Sequence, residues 1–251
     1  MKRLITFVLM LFFLTACNEV TVMSYNIHAM RGMDGTLDAQ RIADVILAED
    51  PDLVGLQEVD HLTDRSGKMD VLSFFEDHCG MHAVYMKTFD YQGGVFGNMV
   101  LSRYPVIETK EVRLPSRMEY EPRLLMMVSV RTERGDTLHF YNTHLDHHAG
   151  DSDRPAQMRR ITEVLAADGE KIILLGDLNC QPGSEPLERL GRYLNRCGSG
   201  EKTYPADDPE RVIDHIYYST GRGLQCREIR VIPETTASDH RPLTARFRIR
   251  K

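Results

Sequence analysis

The chain is conspicuous first for what it lacks. It has no internal repeat, no coiled-coil heptads, no low-complexity stretch and no Gly/Ser/Pro-rich linker, which excludes solenoid, fibrous and multi-domain string-of-beads organisation. Only one long uncharged apolar run is present, Leu4 to Leu14, and eleven residues of helix fall short of a bilayer core of roughly 30 Å. Preceded by Lys2-Arg3 and followed by small residues, that run reads as a secretory signal over residues 1–16 that is cut off. Clustered Lys and Arg are also missing. The 31 basic residues are outnumbered by 37 acidic ones, a net charge of −6 that becomes about −8 if Lys2 and Arg3 leave with the signal. A protein of that charge has little general attraction for a polyanion such as DNA. Cysteine is scarce: apart from Cys17 there are Cys79, Cys180, Cys197 and Cys226, at irregular spacings that match no zinc site. Three pairings among them, or buried free thiols, stay open.

The hydrophobic fraction of 42% is enough to bury one good core, so residues 20–251 are expected to form one α/β domain. Leu14-Thr15-Ala16-Cys17 resembles a bacterial lipobox, which implies lipid on Cys17, a tether over residues 17–19 and a place in the cell envelope on a bacterial membrane. Val20–Ile27 reads as a strand. Asp38–Glu49, with Ile42, Val45 and Ile46 on one side and Asp50-Pro51 after it, reads as an acid-capped amphipathic helix. A buried-type strand at Leu53–Leu56 and a helix at Asp70–Cys79 follow. The texture then turns β-rich: His82–Phe89, Asn98–Ser102, Val106–Leu114, Leu124–Thr132 and Leu138–Leu145 look like a meander in an antiparallel sheet. Tyr91–Asn98 reads as a loop able to wall a pocket. After a helix at Arg154–Ala167 and a strand from Lys171, an irregular stretch covers Gly183–Pro209, and strands return at Val212–Ser219, Gln225–Ile232 and Leu243–Ile249. Arg246, Arg248 and Arg250 alternate along the last strand, which suggests solvated edge protection.

Twice a helix is followed by a short apolar strand that ends on a carboxylate, at Glu58 and at Asp177. Ligands of layered α/β proteins gather beyond the carboxyl ends of strands, so the two ends would meet at one pole. Strand ends and loops also carry Asn26, His144, Asp146, Asn179, Asp214, Asp239 and His240. Taken singly, each Asp or Asn reads as a turn former or helix cap. Taken together, an oxygen-rich set suits Mg2+ or Mn2+ better than zinc, and a metal beside two histidines suits phosphoester hydrolysis. Asp214 and His215 interrupt an apolar strand, where a buried charge needs a partner.

Six strings then recur in a telling order: Ser24-Tyr25-Asn26-Ile27, Leu56-Gln57-Glu58-Val59, Asn142-Thr143-His144-Leu145, Gly176-Asp177-Leu178-Asn179, Ile213-Asp214-His215-Ile216 and Ser238-Asp239-His240-Arg241-Pro242. Over residues 20–250 the chain thereby resembles the endonuclease/exonuclease/phosphatase superfamily. Two further segments, Gly97–Arg103 with Asn98 and Glu121-Pro122-Arg123, are similar to others common there and make Asn98 and Arg123 candidate substrate contacts. The resemblance implies a four-layer α/β/β/α sandwich with two central, mainly antiparallel sheets. It implies Glu58 as principal metal ligand with Asn26 and Asp239 near the metal, Asp177 and Asn179 orienting water or phosphate, and His144 donating to a phosphate oxygen. His240, oriented by Asp214, would be general base or charge stabiliser, with Asp177 a second candidate for base.

The chain departs from relatives in two places: nothing between His28 and Leu37 is notably basic, and His215 stands where an aromatic residue is common. Asp146, His147 and His148 open a loop, Asp146–Arg154, placed to edge the site, with the two histidines themselves read as solvated. The expected function is metal-dependent hydrolysis of a small or membrane-borne phosphoester outside the cytoplasm. A secreted nuclease is the alternative, and a non-catalytic surface binding module the remote one.

Overall fold

Alternation along the strands sorts side chains into layers. In β1 (Glu19–Asn26), Val20 and Val22 face one way and Met23 and Tyr25 the other, and each set joins a different apolar cluster. The computed structural model describes residues 18–250 apart from 151 and 199, so the expected signal segment and Cys17 lie outside the described residues. Sheet one runs in the order β11 (Leu224–Val231), β12 (Leu243–Ile249), β1, β2 (Leu53–His61), β4 (Gly94–Ser102), β3 (His82–Tyr91). Sheet two runs β5 (Val106–Leu114), β6 (Arg123–Arg131), β7 (Thr137–His144), β8 (Lys171–Asp177), β10 (Asp214–Tyr218), β9 (Asn195–Arg196). Each is antiparallel except for one central parallel pair, β1/β2 and β7/β8.

Parallel neighbours need a crossover, and helices supply it. α1 (Ala39–Glu49) links β1 to β2 and α3 (Arg154–Ala167) links β7 to β8. Asp38 caps α1 by accepting from the Arg41 N–H, and left-handed Asp50 before Pro51 ends it. α2 (Val71–Cys79), capped by Asp70, packs beside α1 under sheet one, while α3 and the short α4 (Glu185–Leu190) cover sheet two. Three apolar clusters result, one under each helical layer and one between the sheets. The middle one includes Phe140, Ile173, Leu175, Ile216 and Phe247, each fully buried and each stabilising by roughly 1.5–3 kcal/mol. This is the four-layer α/β/β/α sandwich.

Four local expectations need correction. The run from His82 to Leu145 is not one meander: β4 already has β2 and β3 on its two edges, so β5 has no free edge there and begins the other sheet. Tyr91–Asn98 is not a loop but the tip and second strand of the β3–β4 hairpin, turning at Gln92-Gly93 where both φ angles are positive. The stretch 183–209 holds α4 and β9. β12 is flanked by β11 and β1, so its arginines guard no edge; Arg246 instead pairs with Glu19 and Glu228 on the two neighbouring strands. Of the cysteines, Cys197 and Cys226 form a disulfide that ties β11, at the margin of sheet one, to the end of β9, at the margin of sheet two; Cys79 and Cys180 are buried thiols.

Candidate active site

The carboxyl ends of the two parallel pairs meet at one pole of the sandwich. Inner-face alternation carries Asn26 from β1, His144 from β7 and Asp177 from β8 to the same spot, following Val22, Phe140 and Leu175 of the inter-sheet core. β2 needs a device to join them. Its inner face is Leu53, Gly55 and Gln57, with Val54 and Leu56 toward the helices, so regular alternation would send Glu58 to the helix side. A bulge between Leu56 and Val59, with Glu58 in the left-handed region at φ 55°, turns its carboxylate to within 2.9 Å of Asn26 Nδ2. Such a conformation costs a non-glycine residue on the order of 1 kcal/mol or more and persists where surrounding contacts enforce it. Beneath it, Gln57 donates to Asn142 Oδ1 at 2.8 Å, and Asn142 donates to the Leu56 and Met99 carbonyls, stitching the sheets under the site. Gly176 is obligatory: φ is 143° and a Cβ would lie 1.8 Å from the Thr143 carbonyl oxygen on the neighbouring strand.

Asn26 is the hub. Its Oδ1 accepts from the His28 N–H, which fixes the amide so that Nδ2 donates to Glu58 and, at 3.1 Å, to Asp177 Oδ2. Asn26 thus meets both carboxylates through its nitrogen and fixes their positions beside the expected metal site.

His144 is buried between a donor, the Arg123 guanidinium, and an acceptor, the Asp177 carboxylate. Arg123, itself buried, donates through one guanidinium nitrogen to His144 Nδ1 at 3.1 Å. A guanidinium has no acceptor, so Nδ1 carries no proton and Nε2 does. That Nε2–H faces Asp177 Oδ2 at 3.5 Å as its acceptor, while the neighbouring Asn179 Nδ2 donates to the Leu145 carbonyl at 3.2 Å. Burial, then the Arg123 charge, hold the His144 pKa well below the ordinary value, so the ring is a neutral donor.

His240 has the opposite electrostatics. Burial acts to lower its pKa, but Asp214, bonded to Nδ1 at 2.8 Å, together with Asp177 and Asp239, outweighs it and raises the pKa to about 10. Asp214 also accepts from the Thr203 hydroxyl. Asp177 Oδ2 is 3.7 Å from His240 Nε2, and burial followed by the Asp214 charge raises the Asp177 pKa. The three ligand-type atoms of Asp177, Asp214 and His240 are mutually close and all buried, and the imidazolium between the two carboxylates satisfies them.

A cavity of about 390 Å3 opens over this cluster. Glu58, Asp177, Asn179, Asp239, His144 and His240 line it, along with Arg123. Asn98 does not: it is buried in β4 opposite the bulge. Asp214 and Asn26 stand one layer behind the lining. Asp146 is buried and accepts from His148 Nδ1 and the Asp153 N–H, organising its loop. His215 faces the α3 side; burial lowers its pKa to about 4, and its Nε2 donates to the Cys180 carbonyl at 2.8 Å.

Several lining residues were not singled out from sequence: Arg65, Phe89, Tyr204, Arg211 and Ile213, together with His147, which was read as solvated. Arg65 grips buried Asp60 and lies 4.6 Å over the Tyr91 ring. Tyr204 rests against His240 at 4.8 Å between ring centroids. These sit in strand interiors or loops with no positional signature; only the Tyr91–Asn98 segment, which contributes Tyr91 and Phe96, was expected to wall a pocket.

The carboxylates of Glu58, Asp177 and Asp239 share this cavity, and among the described residues no Lys or Arg is ion-paired to any of them. That oxygen-rich set fits a hard divalent cation, which Glu58 and Asp239 would hold.

Comparison with known proteins agrees with this geometry. The chain is 26% identical over 186 residues to the "uncharacterized protein YbhP" of Escherichia coli (strain K12), covering 70% of this chain and 72% of that one. Its fold matches an endonuclease/exonuclease/phosphatase from Beutenbergia cavernae DSM 12333 (TM-score 0.73, 23% identity, 92% of this chain and 72% of the other). It also matches a mannosyl-6-phosphatase of Bacteroides thetaiotaomicron VPI-5482 (TM-score 0.71, 19% identity, 91% and 99%). The family model for the endonuclease/exonuclease/phosphatase family, whose members are phosphoester hydrolases generally using divalent metals, matches residues 23–240, and the chain belongs to that family.

Proposed function

We propose that this protein hydrolyses a small, soluble phosphoester outside the cytoplasm with the aid of Mg2+ or Mn2+. The observation that carries the reading is the meeting in one cavity of the Glu58, Asp177 and Asp239 carboxylates, a neutral Nε2–H donor and a buried imidazolium. A cation held by Glu58 and Asp239 would supply positive charge to the phosphate oxygens. His144 donates its Nε2–H to a non-bridging oxygen, and Asn179, beside it in the cavity, helps orient the phosphate. Asp177, with its raised pKa, takes the proton of the attacking water as the new O–P bond forms and the ester O–P bond breaks; the leaving oxygen is protonated from solvent. His240 stays charged, keeps Asp177 ionised and offsets negative charge in the transition state.

Two features support the location and substrate size. Disulfides persist in oxidising compartments, and Cys197–Cys226 is of that kind. β1 starts one residue after Asn18 and delivers Asn26 to the site eight residues later, about 26 Å at ~3.3 Å per residue. An anchor at Cys17 would therefore hold the site at the pole away from the bilayer, which favours a soluble phosphoester over a headgroup of the same leaflet. Against long nucleic acids, two of the three cavity arginines are already engaged, Arg65 by Asp60 and Arg123 by Glu121.

The test is to incubate the purified chain and Mg2+ or Mn2+ with aryl phosphomonoesters and phosphodiesters, sugar and inositol phosphates, phospholipid vesicles, RNA and supercoiled plasmid. Turnover of small esters that stops on chelation is expected. Plasmid nicking with little small-ester turnover would replace the reading with a nuclease, and full activity after exhaustive chelation would remove the metal from it. Cys17→Ser is expected to shift the protein from the membrane to the soluble fraction; unchanged partition would refute the anchor.

A further inference from the structure

Arg123 does more than hold His144. Its other terminal nitrogen donates to His147 Nδ1 at 3.2 Å and to Glu121 Oε2 at 2.8 Å, so one buried guanidinium spans two imidazoles. The logic that placed the His144 proton applies again: a guanidinium only donates, so His147 Nδ1 is an acceptor and its proton sits on Nε2. A second constraint fixes the ring plane. His147 stacks on His148 at 4.4 Å, His148 stacks nearly parallel on Tyr120 at 3.8 Å, and Arg117 lies 5.2 Å over Tyr120. His148 is in turn tied to buried Asp146 at 2.6 Å. His147 is solvent-exposed yet its ring is stacked on one side and bonded at one edge, and it lines the cavity beside His144. Holding an exposed side chain this way costs rotamer entropy that a solvated loop residue would keep.

We infer that His147 is a substrate-binding residue, presenting Nε2–H to a phosphate oxygen of the substrate alongside the His144 donor, with Arg123 setting the tautomer of both rings. The inference rests on the phosphoester hydrolase reading of the same cavity. Its substrate class is an anionic phosphoester whose phosphate lies between the two imidazoles, where hydrogen bonds to charged oxygen are stronger than neutral ones.

The geometry dictates an unusual order of variants. A glutamine amide reaches the position of Nε2, whereas an asparagine amide reaches that of Nδ1, so the donor role predicts that His147→Gln outperforms His147→Asn. In full-length protein with saturating Mg2+ and an aryl phosphate substrate, His147→Ala is expected to raise KM roughly tenfold or more, the scale of one lost hydrogen bond to a charged group, and to change kcat by less than about threefold. The inhibition constant of inorganic phosphate, measured in the same assay, should rise with KM. His147→Gln should recover most of both, and His147→Asn should resemble Ala. Unchanged KM and phosphate inhibition in His147→Ala, or Asn performing as well as Gln, would overturn the assignment. If the wild-type protein turns over no phosphoester and binds no phosphate, the hydrolase reading falls and takes this inference with it; wild-type turnover with an indifferent His147→Ala overturns the inference alone.

Discussion

Replacing Asp214 by Asn tests the electrostatics of the site most directly. Asp214 bonds His240 Nδ1 at 2.8 Å, and both side chains are almost wholly buried. Opposing the effect of burial, Asp214 and its neighbours lift His240 from its ordinary 6.5 to about 10. At ~1.4 kcal/mol per pH unit, that rise corresponds to roughly 5 kcal/mol of preference for the imidazolium, spread over Asp214, Asp177 and Asp239. Asp214 leads the groups that raise it, and once it is gone the burial contribution remains. His240 in the variant should therefore titrate near or below its ordinary value, and an Asn cannot be relied on to accept from Nδ1 in the same tautomer. The sign for activity follows: the wild type keeps its charged His240 until pH rises through about 10, whereas the variant loses it near neutrality. The sign for stability is the same, because a histidine with a raised folded pKa contributes stability that is full below its unfolded pKa and lost as pH rises through the folded one. The assay is a pH profile of kcat/KM on an aryl phosphodiester at saturating Mg2+, with the His240 ring followed by NMR. We expect turnover at pH 8 to fall by roughly 10² to 10⁴, the range for disabling an acid/base pair, and the alkaline limb to move down by several pH units. An alkaline limb unmoved in Asp214→Asn would refute the role given to His240.

Other outcomes follow from the same geometry. Glu58→Gln should raise the Mg2+ concentration for half-maximal activity by roughly tenfold or more, since a neutral amide replaces a carboxylate ligand; metal titration of the rate checks it, and an unshifted midpoint would remove Glu58 from the metal. His144→Ala should lower kcat by about 10² or more through loss of the Nε2–H donor, measured at saturating substrate, and a near wild-type kcat would misplace that donor. Away from the site, Asp168 ends α3 and accepts from His139 Nδ1 at 2.7 Å and Tyr141 Oη at 2.6 Å. Burial opposes its ionised form, but those hydrogen bonds lower its pKa to about 2. Asp168→Ala should cost about 2 kcal/mol and lower Tm by roughly 4–8 °C at pH 7. That stability is present above the ordinary carboxylate pKa and is lost as pH falls through about 2, so urea midpoints of wild type and variant should converge between pH 4 and pH 2.

Much of the architecture is local information. Asp38, Asp70 and the Asp50-Pro51 stop announce α1 and α2, and alternation in Val20–Asn26 and Leu138–His144 announces β1 and β7 with the face each residue takes. The carboxylates, amides and histidines at strand ends were legible as a set because hard-cation and phosphate chemistry uses few residue types. The resemblance of six ordered strings added the layer architecture to that reading. Which sheet a strand joins was not legible: Val106–Leu114 looks like any meander strand, and it changes sheets only because both edges of β4 are taken.

What the amino-acid order determined by itself, then, is the elements, the inner and outer faces of most strands, and the kit of polar residues at their ends, since these depend on neighbours within a few positions. The tertiary structure alone decided where four polar residues point or what state they hold. Glu58 reaches the site through a bulge that reverses its expected face; His147, though solvent-exposed, is held at the cavity wall because buried Arg123, 24 residues earlier, bonds it. His144 and His240, chemically identical in the sequence, become a neutral donor and a cation because one was folded against a guanidinium and the other against carboxylates. Coulomb interactions in a dry interior depend on distances of a few ångströms between residues far apart in the chain, and only the packed fold sets those distances.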